Sequence, residues 1–155
     1  MTSTDAREPP ADDEFEVSNF GPGVGECCLV HLGDGEWFVV DSCRTDDGVP
    51  VSEWYLERLG LDPAEAVSGI LVTHWHDDHV DGVADLLSTC NSATFYCSAA
   101  YRTEEFLTFI ETGRDAQFGP SGTDELRAVL ELLKERRSDG QRAASAGPEL
   151  VKENE

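Results

Sequence analysis

A chain of 155 residues with 39% apolar content is long enough to bury one core. Its 32 acidic against 11 basic residues give a formal net charge of −21, a surface that repels a polyphosphate backbone and argues against nucleic acid as a partner. No apolar run reaches the length of a membrane span, and the opening residues Met1-Thr2-Ser3-Thr4-Asp5-Ala6-Arg7 lack the charged-then-apolar layout of a secretory signal.

Residues 1–13, with Pro9-Pro10 and Asp12-Asp13, have the composition of a disordered acidic tail. Phe15 and Val17 alternate with acids, which predicts a first strand over residues 14–18. Gly21-Pro22-Gly23-Val24-Gly25 reads as a turn; no lysine follows and no helix opens after it, so it is no phosphate cradle. Residues 27–32 and 37–40 are two strands joined at Gly33-Asp34-Gly35, a hairpin signal. His31 lies inside the first of them, remote from any other ligand, and reads as an ordinary strand histidine. Asp41-Ser42-Cys43 leaves the sheet and residues 44–50 form a loop. Ser52 is placed to cap a helix over residues 53–59 closed by Gly60, with Trp54 and Tyr55 as packing groups, and Asp62-Pro63 starts a further helical turn.

The run Val67-Ser68-Gly69-Ile70-Leu71-Val72 is short, rich in β-branched residues and bounded by turn formers, and so predicts a buried strand. It leads into Thr73-His74-Trp75-His76-Asp77-Asp78-His79, which holds three of the chain's four histidines. Alternate residues of an extended chain share a face, so His74 and His76 project together from the strand's end. Asp78 and His79 follow where the chain turns into a helix, whose first turn favours carboxylates. Four ionisable groups at the mouth of an apolar strand are costly unless they share a partner. Imidazole with carboxylate suits zinc, manganese or iron. Trp75 fits either a wall of that site or simple packing.

Further along, residues 80–87 predict a helix with Val83, Leu86 and Leu87 inward, and residues 94–97 a strand. Ser98 is placed to cap a helix over residues 99–110, and residues 113–122 read as a loop. Thr123 then opens the clearest helix, with Leu126, Val129, Leu130 and Leu133 forming one stripe and Lys134, Arg136 and Arg137 complementing its dipole. Residues 138–155 are polar and small and read as a flexible tail. The five cysteines, Cys27, Cys28, Cys43, Cys90 and Cys97, have no metal-finger spacing and read as buried small hydrophobes of a reduced, cytoplasmic protein.

The stretch His74-Trp75-His76-Asp77-Asp78-His79 resembles the His-x-His-x-Asp-His signature of the metallo-β-lactamase-fold hydrolases, and the preceding hairpin ending at Asp41 resembles that family's context. The resemblance implies an α/β (α+β) fold: half of an αββα sandwich, a mixed sheet with helices on one face, here over residues 14–137. It implies His74 and His76 on a first zinc and Asp78 and His79 on a second, with Asp41 holding the metal loop. It also implies a water, activated by metal and oriented by Asp78 as the catalytic carboxylate, attacking an ester-, lactone-, thioester- or phosphodiester-type bond of a small-molecule substrate. The family's second half supplies two further histidines and a bridging aspartate, yet no histidine follows His79 here; Asp115, Asp124 and Asp139 sit in a loop, a cap and the tail. The sequence therefore supports a second expectation: a truncated, non-catalytic fragment that binds metal weakly and is completed by self-association or a complementing chain.

Overall fold

The computed structural model describes residues 8–23, 25–98, 108 and 122–138. Five strands form one mixed sheet in the order β1 (Glu16–Gly23), β2 (Gly25–Gly33), β3 (Glu36–Val40), β4 (Val67–Val72) and β5 (Thr94–Cys97). The first three are antiparallel, while β3–β4 and β4–β5 are parallel. The parallel crossover from β3 to β4 is made through α1 (Val51–Arg58) and α2 (Pro63–Ala66), and that from β4 to β5 through α3 (Asp77–Val80) and α4 (Val83–Thr89). A last helix, α5 (Gly122–Ser138), packs along α4. No helix among the described residues is long and apolar enough to cross a membrane.

The pleat sends alternate residues to opposite faces of the sheet. Cys27, Leu29, Trp37, Val39, Ile70 and Val72 point to one of them and are fully buried. They pack with Tyr55 and Leu56 of α1, Val83, Leu86 and Leu87 of α4, and Leu126 and Val129 of α5. The interleaved residues Val30, Phe38, Val40 and Leu71 are only partly buried, and Val17 and Tyr96 beside them are exposed. Among the described residues the helices thus cover one face of the sheet, the one-sided layering expected of a partial metallo-β-lactamase fold.

The Asp34-Gly35 turn has both residues at positive φ, the backbone that matches hairpin twist, as the sequence predicts. Gly60 closes α1 as expected: its N–H donates to the Glu57 carbonyl at 2.9 Å and the Leu61 N–H to Leu56 at 3.0 Å. Asp62 caps α2 by accepting the Ala64 N–H at 3.0 Å. His31 is buried, with Nδ1 2.8 Å from the Glu14 carbonyl and its ring against Trp37, a packed strand histidine.

Several expectations need correction. The first strand runs from Glu16 to Gly23 and takes in most of the supposed glycine turn. That run is feasible because Gly21 has φ +114° and a Cβ there would lie 1.9 Å from the Gly25 carbonyl oxygen. Pairing Glu16 with His31 and Ser18 with Leu29 turns the even residues towards the helices, so Phe15 and Val17 face outward. The inward Glu16 carboxylate is satisfied by the Tyr55 hydroxyl at 3.0 Å and the Ser18 hydroxyl at 2.7 Å. Ser52 does not cap α1. Pro50 stands at the N-cap, and the Val51 N–H already donates to the Cys43 carbonyl at 2.9 Å, which leaves Ser52 buried inside the first turn. Trp54 is exposed with Arg58 over its ring, whereas Tyr55 packs as expected. The helix over residues 80–87 is two helices broken at Asp81-Gly82, where Gly82 has φ +87°. The backbone carbonyl of Asp12 accepts the Asp34 N–H at 2.8 Å, tying residue 12 to the hairpin. The helix expected over 99–110 lies outside the described residues apart from Thr108, which is helical, as do residues 1–7, most of the 113–122 loop and the tail beyond Ser138.

All five cysteines are free thiols; Cys27, Cys43 and Cys90 are buried, and Cys28 and Cys97 partly so. Burial pushes the Cys90 thiol up to about 12 and Cys27 higher still. Their contribution to stability is complete below the unfolded thiol value and declines as pH rises above it. A thiol-reactive dye at neutral pH should therefore label Cys28 and Cys97 rapidly and the other three only on unfolding. Alkaline unfolding should begin above about pH 9. Prompt labelling of Cys90 in the native protein would contradict this burial.

Candidate metal centre

Strand β4 is almost wholly buried, flanked by parallel neighbours on both sides, and its C-terminal end releases Thr73 to His76 at the edge where ligands gather in parallel sheets. His76 stands in extended backbone as the N-cap of α3, whose first turn holds Asp77 and Asp78. The one-turn helix brings His79 back towards the strand, its N–H donating to the His76 carbonyl at 2.9 Å. The three imidazoles converge: ring centroids of His74 and His79 lie 3.7 Å apart and those of His74 and His76 5.0 Å apart. His79 Nε2 is 3.5 Å from an Asp78 carboxylate oxygen. His74 and His79 are half-buried and His76 is exposed, so the cluster opens to solvent.

Asp41 sits beneath this loop. It ends the β2–β3 hairpin at φ +60°, is buried, and gives its N–H to the Leu71 carbonyl at 2.8 Å. One carboxylate oxygen accepts the Thr73 N–H at 2.7 Å. The other accepts the Thr73 hydroxyl at 2.6 Å and meets His79 Nδ1 at 2.9 Å. A carboxylate only accepts, so Nδ1 of His79 must carry the proton. The Thr73 hydroxyl has one proton, given to Asp41, so it accepts from Nδ1 of His74 at 3.0 Å. Both rings therefore have Nδ1 engaged and leave Nε2 as the ring atom open to a metal. A carboxylate that fixes tautomer and ring orientation in this way is the usual partner of a metal-ligating histidine.

Two sets of donors emerge, each with ligand atoms within 4.8 Å of one another: His74, His76 and Asp78, and Asp41, His74 and His79. The four residues singled out from the motif are thus brought together, and His74 belongs to both sets. Since Asp41 has three donors on its two oxygens, its geometry is that of a support for the loop. Of the carboxylates considered as a bridge, Asp124 lies at the start of α5 paired with Arg127 at 2.7 Å, while Asp115 and Asp139 fall outside the described residues. Trp75 packs at the margin of the core with its ring 4.8 Å from that of His76.

Sequence reasoning missed the residues that hold the loop. Thr73 was signalled only by standing next to His74. The Ser42 N–H donates to the His79 carbonyl at 2.8 Å and its hydroxyl to the Asp81 carbonyl at 2.9 Å. Arg44 reaches Asp81 and Asp85 at 2.8 Å and Glu125 at 3.2 Å. The available signal was composition: Arg44 is one of three basic residues in the first hundred.

Residues 20–139 match the metallo-beta-lactamase superfamily. The match spans most of the chain and includes the hairpin, Asp41 and the histidine cluster, and the chain belongs to that superfamily.

Proposed function

We propose that the chain is a metal-dependent hydrolase domain, with zinc as the metal, acting on a small molecule through an ester-, lactone-, thioester- or phosphodiester-type bond. The observation that carries this reading is the pair of imidazoles whose Nδ1 atoms are taken by Asp41 and Thr73, leaving Nε2 of His74 and His79 facing His76 and Asp78. Zinc and imidazole–carboxylate donors are well matched, and manganese or iron would find the same donors acceptable. His74 and His76 would hold one ion, Asp78 and His79 a second. A metal held there supplies Lewis acidity and makes water a nucleophile near neutral pH. Asp78, about half exposed, is free to orient a water, and the opening at His76 admits a substrate. The free thiols support a reducing compartment such as the cytoplasm.

The test is metal binding by titration with cobalt(II), an optical substitute for zinc. Wild type should bind with a visible spectrum, and His76→Ala should weaken binding at least about 10-fold. An unchanged titration in that variant would defeat the reading.

A second reading rests on the sequence holding no histidine after His79. In it the site takes its remaining ligands from another polypeptide or a second copy. Cobalt affinity would then rise with protein concentration and zinc would shift the mass in solution. Concentration-independent binding together with hydrolysis by the lone chain would remove this reading.

A further inference from the structure

Helix α5 touches the metal loop by polar contacts at two points. The Gly122 N–H, at its start, donates to the Asp77 carboxylate, and a Cβ on Gly122 would lie 2.0 Å from the Trp75 carbonyl oxygen, so the helix end sits directly on the loop. One turn on, Glu125 accepts the Gly82 N–H at 2.9 Å and the Ala84 N–H at 3.3 Å. Those are amides of the first turn of α4, a helix whose own N-cap, Gly82, has no side chain to offer. The same Glu125 oxygen that holds Gly82 also takes Arg44. Arg44 lies across Gly82, where a Cβ would be 3.3 Å from its side-chain atoms, and donates to Asp81 and to the Gly48 carbonyl. Three carboxylates, on Asp81, Asp85 and Glu125, converge on one guanidinium whose side chain is about a quarter exposed.

The loop from Thr73 to Gly82 is therefore fixed at both ends. Asp41 holds Thr73 and His79, Ser42 holds the His79 and Asp81 carbonyls, and Arg44 with Glu125 holds Asp81 and Gly82. Gly82 is where α3 ends and α4 begins, so its position sets the direction in which the one-turn helix carries Asp78 and His79. Without Glu125 the α4 amides lose their acceptor. Without Arg44 the three carboxylates face one another uncompensated, and mutual repulsion drives Asp81 away from α4 and α5.

We propose that Arg44 and Glu125 are positioning residues for the metal loop, and that docking of α5 is what holds Asp78 and His79 in register with His74 and His76. The proposal rests on the metal-centre reading, and its test separates the two. In the apo protein, hydrogen exchange of the 73–82 segment should speed up about 10-fold in Glu125→Gln and in Arg44→Gln, while the β2–β3 hairpin keeps its protection. Arg44→Lys, which retains the charge, should restore part of the difference. Cobalt(II) affinity should fall about 10-fold in the two glutamine variants. Exchange that stays at the wild-type rate, or rises only in step with the hairpin, overturns the proposal. If wild type binds no cobalt, the metal reading fails and the exchange result alone decides whether the clamp exists.

Discussion

Replacing Asp41 by asparagine will leave the fold standing and remove much of its hold on metal, whereas replacing it by alanine will damage both. In Asp41→Ala the part-buried Thr73 N–H, the Thr73 hydroxyl and the His79 Nδ1–H all lose their acceptor. Each unmade bond of this kind costs about 1–3 kcal/mol. Position 41 also has φ +60°, where an ordinary side chain is strained by roughly 1–2 kcal/mol. A loss above about 3 kcal/mol is expected, a large part of the ~5–15 kcal/mol that a domain of this size commands.

Asparagine tolerates that backbone, and its carbonyl oxygen can still accept from Thr73 N–H. Its amide nitrogen then replaces the oxygen that faced Thr73 Oγ1 and His79 Nδ1. A hydroxyl can reverse its role. The imidazole must instead move its proton to Nε2, which blocks the atom turned towards the metal cluster. Thermal unfolding of Asp41→Asn should change by about 1 kcal/mol or less in stability. Its cobalt(II) affinity should drop 10- to 100-fold, on the order seen when such partners are lost. Wild-type affinity in Asp41→Asn would mean that the tautomer of His79 is set by something else.

What was legible in the sequence was local. The hairpin at Asp34-Gly35, the end of α1 at Gly60, the start of α2 at Asp62 and the strand Val67–Val72 all depend on residues within a few positions of one another. The histidine cluster was readable for the same reason, since one strand end and one helical turn place His74, His76, Asp78 and His79 together. The errors came where distant residues decide. The Gly82 N–H at the break between α3 and α4 is accepted by Glu125, 43 positions away, and the Val51 N–H at the start of α1 is taken by the Cys43 carbonyl. Arg136 was expected to serve its own helix. It instead crosses to α4 and donates to the carbonyls of Leu87 and Cys90 and, at 3.2 Å, that of Ala93. Helix α5 thus supplies an anion at one end of α4 and a cation at the other, the arrangement that the α4 dipole favours. Neither end could be inferred from spacing alone. For β1 the alternation gives a period but no phase; the phase is set by pairing Glu16 with His31, which turns Phe15 and Val17 outward.

That one-sidedness makes a second large effect predictable from two adjacent residues of β3. Trp37 is fully buried against the rings of His31 and Tyr55, at 5.0 and 6.3 Å, and is the largest side chain in the core. Its replacement by alanine should cost about 3–5 kcal/mol, enough to leave a substantial unfolded fraction at physiological temperature. Phe38, on the opposite face, keeps part of its ring in solvent and rests on Gly69, where a Cβ would lie 2.4 Å from the ring, and beside Tyr96 at 5.6 Å. With less apolar area to lose and no closed cavity left behind, Phe38→Ala should cost about 1–2 kcal/mol. Trp37→Phe offers an internal control. It retains an aromatic filler and removes an indole N–H that has no acceptor among the described residues, so it should cost much less than Trp37→Ala. Denaturant unfolding of the three variants would check this. Equal losses at Trp37 and Phe38 would mean that both faces of the sheet are covered in solution, and the helix-facing core would then not be the only one stabilising the strands beneath the metal loop.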